Sequence, residues 1–317
     1  EDQKLIYYKY GGLIDMNAHR KRLDTLLFSS QYTNARAIAP VLGHGYPELT
    51  EARIALAGDT PGINALIAKV PQKLQSDPGF LYERVRWRRK NNLDVEAMEI
   101  LNNPPLPSQV QNPGDWWKER HIIIRRLLER KMYDSAYLLA SKHGQAEGFP
   151  FAEAEWMAGW LALRYQNSPT KAAKHFERLY TNVSTPVSKA RGAYWMGRTA
   201  QAMKQTKVAD AWFKEAGKYQ TVFYGQLAGA ELGLGNALPQ LSPGNLASMN
   251  RNDMVRAAQL FHAAGMKKES SRFLEQFAET QGTPKAYRFA AELASDMKQY
   301  YDAVKIAKEA TNKGLFL

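Results

Sequence analysis

The sequence predicts an all-α fold, an α-solenoid in which helical hairpins stack side by side, and three observations lead there. Apolar residues recur at i, i+4 and i+7, as in Trp156, Trp160 and Leu163, the spacing of one helix face. Alternating apolar runs closed by Asn-Gly or Asp-Gly, which mark β-hairpins, are not found. A helix–turn–helix pattern then returns along the chain at a nearly constant step.

In order, helices are expected over 15–28, 33–42, 47–57 and 80–90. Turn signals separate them at Gly43-His44-Gly45, Gly58-Asp59-Thr60-Pro61 and Asp77-Pro78-Gly79. The stretch from Asn102-Asn103-Pro104-Pro105 to Pro113-Gly114 reads as one loop, with Asp115 as N-cap of the helix that carries Trp116 and Trp117. A helix from Phe151 is broken at Gln166-Asn167-Ser168-Pro169, and the next carries Ala172, Phe176 and Leu179. After Pro186, Ala193, Gly197 and Ala200 form a small-residue stripe, Lys204-Gln205-Thr206 turns, and Ala209, Phe213 and Ala216 follow.

Second helices of successive pairs register on Ala136/Ala140, Ala172/Phe176, Ala209/Phe213, Ser270/Leu274 and Ala303/Ala307. Small residues let neighbouring backbones approach while large ones fill the space beside them. The spacing is close to that of tetratricopeptide units, without their full signature, so the array is expected to be a degenerate, TPR-like superhelix. One longer step contains an extra helix over 220–233 and a Gly/Pro-rich run through Pro239, Pro243 and Gly244. A boundary is expected near residue 245, dividing an α-superhelical domain, 1–245, from a helical linker region, 246–317.

Composition narrows the function. The 317 residues hold 43 Lys+Arg against 31 Asp+Glu, a net charge of +12, and no Cys. Disulfide frameworks, thiolate metal sites and cysteine nucleophiles are therefore excluded. No apolar run reaches the ~18 residues that a membrane-spanning helix needs. The opening Glu1-Asp2-Gln3-Lys4 is expected to be that of a processed product or an excerpt. His19, His44, His121, His143, His175 and His262 show no i,i+3 or i,i+4 pairing, so no metal and no cofactor are expected. Glu153/Glu155 and Glu96/Glu99 are not spaced to mark an acid/base couple.

From Arg84 to Lys131 the chain holds eleven Lys/Arg against six acids. Arg84/Arg88 and Arg126/Arg130 are i,i+4 pairs whose guanidinium groups can take carboxylate or phosphate in bidentate fashion. A solvated face partly paired with Glu83, Glu119 and Glu129 is the plainer alternative. Nucleic acid is not the expected partner, because no DNA- or RNA-binding module is recognisable. Trp156, Trp160, Trp195 and Trp212 fall on faces a solenoid must bury, whereas Tyr8, Tyr10, Trp116 and Trp117 are expected to be freer to stack on a ligand such as a sugar ring.

An ordered set of segments then carries a resemblance: Tyr82-Glu-Arg-Val-Arg-Trp-Arg-Arg89, Trp116-Trp117-Lys-Glu-Arg120, Tyr137-Leu-Leu-Ala140 with His143-Gly144, Ala152-Glu-Ala-Glu-Trp-Met-Ala-Gly-Trp160, Ala190-Arg-Gly-Ala-Tyr-Trp-Met-Gly-Arg198 and Phe223-Tyr-Gly-Gln-Leu-Ala228. Together they resemble the α-superhelical region of soluble lytic murein transglycosylases, from about residue 15 onward. The resemblance implies a curved or ring-shaped superhelix, a periplasmic location and a lysozyme-like catalytic domain that follows and releases 1,6-anhydro ends from peptidoglycan. The family's catalytic Glu-Ser pair is accompanied by Gly-Leu-Met-Gln and Ala-Tyr-Asn motifs. The Glu269-Ser270 of this chain has neither, so no catalytic residue is carried over. The expected function is a non-catalytic scaffold that positions glycan strands for its own catalytic domain, with Arg84, Arg88, Arg125, Arg126, Trp116 and Trp117 as candidate substrate-binding residues. A tetratricopeptide-like adaptor that binds a peptide or partner helix is the other reading that periodicity allows.

Overall fold

The computed structural model describes residues 9–234 and 246–317, and these are all-helical, with seventeen α-helices, short 3₁₀ turns and no strand. The chain forms two compact units, Glu1–Leu161 and Ala162–Leu317. The boundary expected near residue 245 lies outside the described residues; the division between the two units falls within the helix Gly148–Arg164.

The first unit contains α1 (Met16–Phe28), α2 (Tyr32–Ile38), α3 (Tyr46–Gly58), α4 (Ile63–Lys69), α5 (Pro78–Lys90), α6 (Asp94–Asn102), α7 (Pro113–Glu129), α8 (Tyr133–Ser141) and most of α9 (Gly148–Arg164). Asp15 and Asp77 cap α1 and α5, accepting the backbone N–H of Ala18 at 2.7 Å and of Phe80 at 2.9 Å. The cap assigned to Asp115 is corrected. Helix α7 begins three residues earlier, at Pro113, whose fixed φ and missing N–H suit a first turn, and Asn112 is the cap position. Asp115 instead pairs with Lys118 at 2.8 Å.

The second unit holds the end of α9, then α10 (Pro169–Asn182), α11 (Pro186–Ala202), α12 (Thr206–Gly217), α13 (Phe223–Glu231), α14 (Asp253–Ala263), α15 (Lys267–Gln281), α16 (Pro284–Asp296) and α17 (Tyr300–Asn312). The small-residue stripe of α11 is buried as expected. Ala193 and Ala200 are enclosed, and Gly197 lies under the Phe213 ring of α12 so closely that a Cβ would fall 2.5 Å from it. In α17 the expected Ala303/Ala307 pair is only half-buried. Ile306 and Ala310 fill the core instead, joining Tyr287, Phe289 and Ala290 of α16.

One turn closes at least six hairpins among the described residues. A residue in the left-handed region, φ 59–77°, stands at Ser30, Asn92, Lys131, Lys204, Gly265 and Lys298. The next N–H then bonds the carbonyl five residues back, as in Met132 to Leu127 (2.8 Å) and Gln205 to Ala200 (2.9 Å). This is the Schellman closure, which satisfies a carbonyl of the last helical turn and reverses the chain. Only one of the six positions is glycine, and an L-residue there costs about 1–2 kcal/mol, offset partly by the extra chain entropy glycine loses on folding. Lys131→Gly is therefore expected to stabilise by about 0.5–1 kcal/mol, read as a higher urea midpoint with an unchanged slope.

Candidate functional site

The basic stretch folds as α5, α6 and the long helix α7, and its guanidinium groups turn mainly toward internal partners. Arg88 donates to the Glu96 carbonyl and stands 3.6 Å from Glu99. Arg89 grips both carboxylate oxygens of Glu119 on α7, a hydrogen bond that holds the guanidinium pKa above its ordinary value. Arg126 donates to the Arg89 carbonyl at 3.1 Å and to Asp94 Oδ1 at 2.6 Å, while Arg130 reaches the other oxygen of Asp94 at 3.3 Å. Asp94 is only 3% exposed, so its two arginines compensate a carboxylate that burial would otherwise penalise.

Of the four arginines expected to bind substrate, only Arg125 is exposed. Arg84 is half-buried over the Phe80 ring, 5.6 Å from its centroid. Burial, then its neighbour Arg88, lowers its pKa. Arg88 and Arg126 are committed to the contacts above. The structure thus brings Arg126 together with Arg89 and Arg130 around Asp94, and it leaves Arg125 on a different face of α7, as a helical step of about 100° requires.

The expected exposure of Trp116 and Trp117 is corrected, for both are buried, at 4% and 2%. Because α7 starts at Pro113, the two indoles fall in its first turns and pack inward. Trp116 meets Tyr82 of α5 with ring centroids 5.9 Å apart. Trp117 stacks on His121 at 5.6 Å and donates its Nε1–H to Glu153 on α9 at 2.7 Å. Neither ring face is open to a sugar.

The other ionisable groups of this unit are structural in geometry. His143 Nδ1 accepts the Gln145 backbone N–H at 2.9 Å, so the ring proton sits on Nε2, which faces Glu155 Oε1 at 3.1 Å. With both ring nitrogens engaged, the buried imidazole has no free lone pair for a general base. Arg120 is 1% exposed and faces no carboxylate; it donates to the carbonyls of Leu101, at the end of α6, and Leu139, at the end of α8 (3.1 Å). Burial lowers its pKa to about 10. His143 and Arg120 border a proline-lined cleft of about 50 Å³, room for a water or two. Among the described residues no three His, Asp or Glu side chains converge to hold a metal ion. Ser270 is fully buried in α15, its hydroxyl 3.8 Å from Met297 Sδ.

A second charge cluster joins α1, α3 and α5. Arg53, 1% exposed, pairs with Asp24 and lies 3.7 Å from Asp77, and it packs so tightly over Gly79 that any Cβ there would collide with the guanidinium. Glu83 beside it is buried, with Oε2 lacking a hydrogen bond and Arg86 3.6 Å away. Desolvation raises the Glu83 pKa, outweighing Arg53 and Arg86. A carboxylate whose folded pKa lies above its unfolded value gives stability that is complete below about pH 4.3 and is lost as pH rises through the folded value. Glu83→Gln is therefore expected to match or exceed the wild type in stability at pH 7. The difference should vanish toward pH 4 in urea titrations at the two pH values.

Asp94, Glu99 and Arg120 are the residues that reading the sequence missed. Of the three pairing acids it did name, Glu83 and Glu119 contact arginines while Glu129 stays exposed; Asp94 opens the second helix of its hairpin and meets its partners only once the turn at Asn92 has closed. No helix among the described residues is long and apolar enough to cross a membrane. Compared with known proteins, the chain matches no family model and no curated protein.

Proposed function

We propose that this chain is the non-catalytic α-superhelical scaffold of a periplasmic peptidoglycan lytic transglycosylase, a stacked, TPR-like array that holds glycan strands for a lysozyme-like domain. The observation that carries this reading is the recurrence of one hairpin turn in both units, at Ser30, Asn92, Lys131, Lys204, Gly265 and Lys298, the local geometry from which a regular helical array is built. Further support comes from the segments that resemble the family. Gly192 and Gly197 of the α11 segment and Gly225 of the α13 segment each sit where a Cβ would crowd a neighbour. Gly192 and Gly197 serve close helix packing, as a superhelix requires, and Gly225 serves the tight turn before its helix.

Glycan strands carry peptide carboxylates, and exposed cations such as Arg125 would attract them in a salt-sensitive way. Arg84, Arg88 and Arg126 would act from behind, by holding the α5–α7 frame. The test is co-sedimentation of the full chain with purified murein sacculi at low and high salt, beside an Arg125→Glu/Lys90→Glu variant of unchanged circular dichroism. Salt-sensitive binding that the variant weakens is expected. Absence of sacculus binding at every salt concentration would overturn the reading in favour of a peptide-binding adaptor.

A further inference from the structure

The positive charge of this protein is not where its arginine pairs draw the eye. Residues 1–161 hold 21 Lys/Arg against 19 Asp/Glu, whereas 162–218 alone hold eleven against three, a net +8 that is two-thirds of the chain's total of +12. These 57 residues are essentially α10, α11 and α12.

The helix period gathers the charge. On α10 the buried positions are Ala172, His175, Phe176 and Leu179, and Lys171, Lys174 and Arg178, spaced by three and four, form an exposed row on another face. On α12 the buried positions are Ala209, Phe213 and Ala216, and Lys207, Lys214 and the C-cap residue Lys218, spaced by seven and four, form the exposed row opposite them. Both helices pack against α11, and they touch each other through side chains. Tyr180 of α10 meets Trp212 of α12 at 5.2 Å in an edge-on contact and donates its hydroxyl to Glu215 Oε1 at 2.8 Å. Glu215 is further engaged by Lys218, so one acid and one cation of this stretch are already paired with each other. The others, Glu177 and Asp210, are exposed.

We infer that the outward faces of α10 and α12 form a docking surface for an anionic phospholipid bilayer. Charge complementarity selects an anionic partner, and the form of the surface selects a bilayer. Five of the six row residues are lysines, whose flexible stems and hydrated point charges suit a broad, shifting sheet of headgroups; fixed bidentate recognition would favour arginine. The aromatic side chains between the helices, Tyr180 and Trp212, are spent on each other and offer no open ladder on which nucleic-acid bases could stack. This inference is independent of the murein reading above.

The test is flotation of the full chain with phosphatidylcholine vesicles, with and without 30% phosphatidylglycerol, at 50 mM and 500 mM salt. Lysine and arginine residues near an anionic surface act additively, so Lys174→Glu/Lys207→Glu/Lys214→Glu is expected to lower partition at least about a hundredfold. High salt should release the wild type. The Arg125→Glu/Lys90→Glu variant, altered on the first unit, should float as the wild type does. Circular dichroism and the urea midpoint of the triple variant check that these exposed positions leave the fold intact. Equal flotation with and without phosphatidylglycerol would overturn the inference, as would undiminished binding by the triple variant. Binding to a generic duplex or single-stranded oligonucleotide with no binding to vesicles would also overturn it.

Discussion

Arg120→Met is expected to destabilise the protein by about 3–5 kcal/mol. Arg120 runs from α7 into the space where α6 and α8 end, and its guanidinium takes the carbonyls of Leu101 and Leu139. Each belongs to the last turn of its helix, where no intrahelical N–H remains to bond it. A helix C-terminus carries roughly half a negative charge. Two such ends around one guanidinium approach neutrality, which explains how an arginine 1% exposed persists with no carboxylate beside it. Methionine fills comparable volume but leaves both carbonyls buried and unpaired, at about 1–3 kcal/mol each, besides the lost interaction with the two helix ends. Lysine offers a single ammonium that cannot fork between two acceptors, so Arg120→Lys should recover only part of the loss. Urea unfolding followed by tryptophan fluorescence reads both, Trp116 and Trp117 being buried on the same helix. If Arg120→Met unfolded at the wild-type midpoint, water from the adjacent proline-lined cleft would be satisfying the carbonyls and the stapling role would fall.

Legibility in the sequence followed the range of the interaction. Periodicity is local, so the helices over 15–28 and 80–90 and the stripe of Ala193, Gly197 and Ala200 could be read directly, and the structure has them as α1, α5 and the buried face of α11. Helix starts were harder where two capping signals competed. Pro113 and Asp115 each suit a first turn, and proline prevailed because its backbone is already set for helix. The candidate site was legible least. Whether an arginine faces solvent depends on acids that arrive from another helix, as Asp94 does for Arg126 and Glu119 for Arg89. No spacing within one helix encodes that meeting. The same limit explains Trp116 and Trp117: adjacent on one helix they point in directions about 100° apart, and both are buried only because α5 covers one and α9 the other.

Gly225→Ala is expected to cost about 3 kcal/mol or more, at or beyond the top of the 1–3 kcal/mol range usual for overpacking, because the obstacle is backbone. Gly225 is buried in the first turn of α13, and a Cβ there would fall inside van der Waals contact of the Tyr219 carbonyl and 3.2 Å from that of Ala216. Those carbonyls are already committed: Ala216 accepts from Tyr219 N at 3.1 Å, Tyr219 from Val222 N at 3.1 Å, and Val222 in turn from Gly225 N at 3.0 Å. This chain of short bonds folds the segment from α12 back onto α13, and relieving the clash would break at least one of them. Gly197 makes a controlled comparison. The atoms nearest its Cβ would be those of the Phe213 ring, side chain and not backbone, so Gly197→Ala should fall in the ordinary overpacking range and regain part of its cost from alanine's higher helix propensity. The order expected in thermal melts is therefore wild type, then Gly197→Ala, then Gly225→Ala. Displacing the start of α13 also moves Tyr224, whose ring lies 5.5 Å from Tyr194, so the near-ultraviolet circular dichroism of Gly225→Ala should change where that of Gly197→Ala is kept. A Gly225→Ala variant as stable as the Gly197→Ala one would mean that the 216–225 turn yields easily, and the rigidity assigned to it here would be wrong.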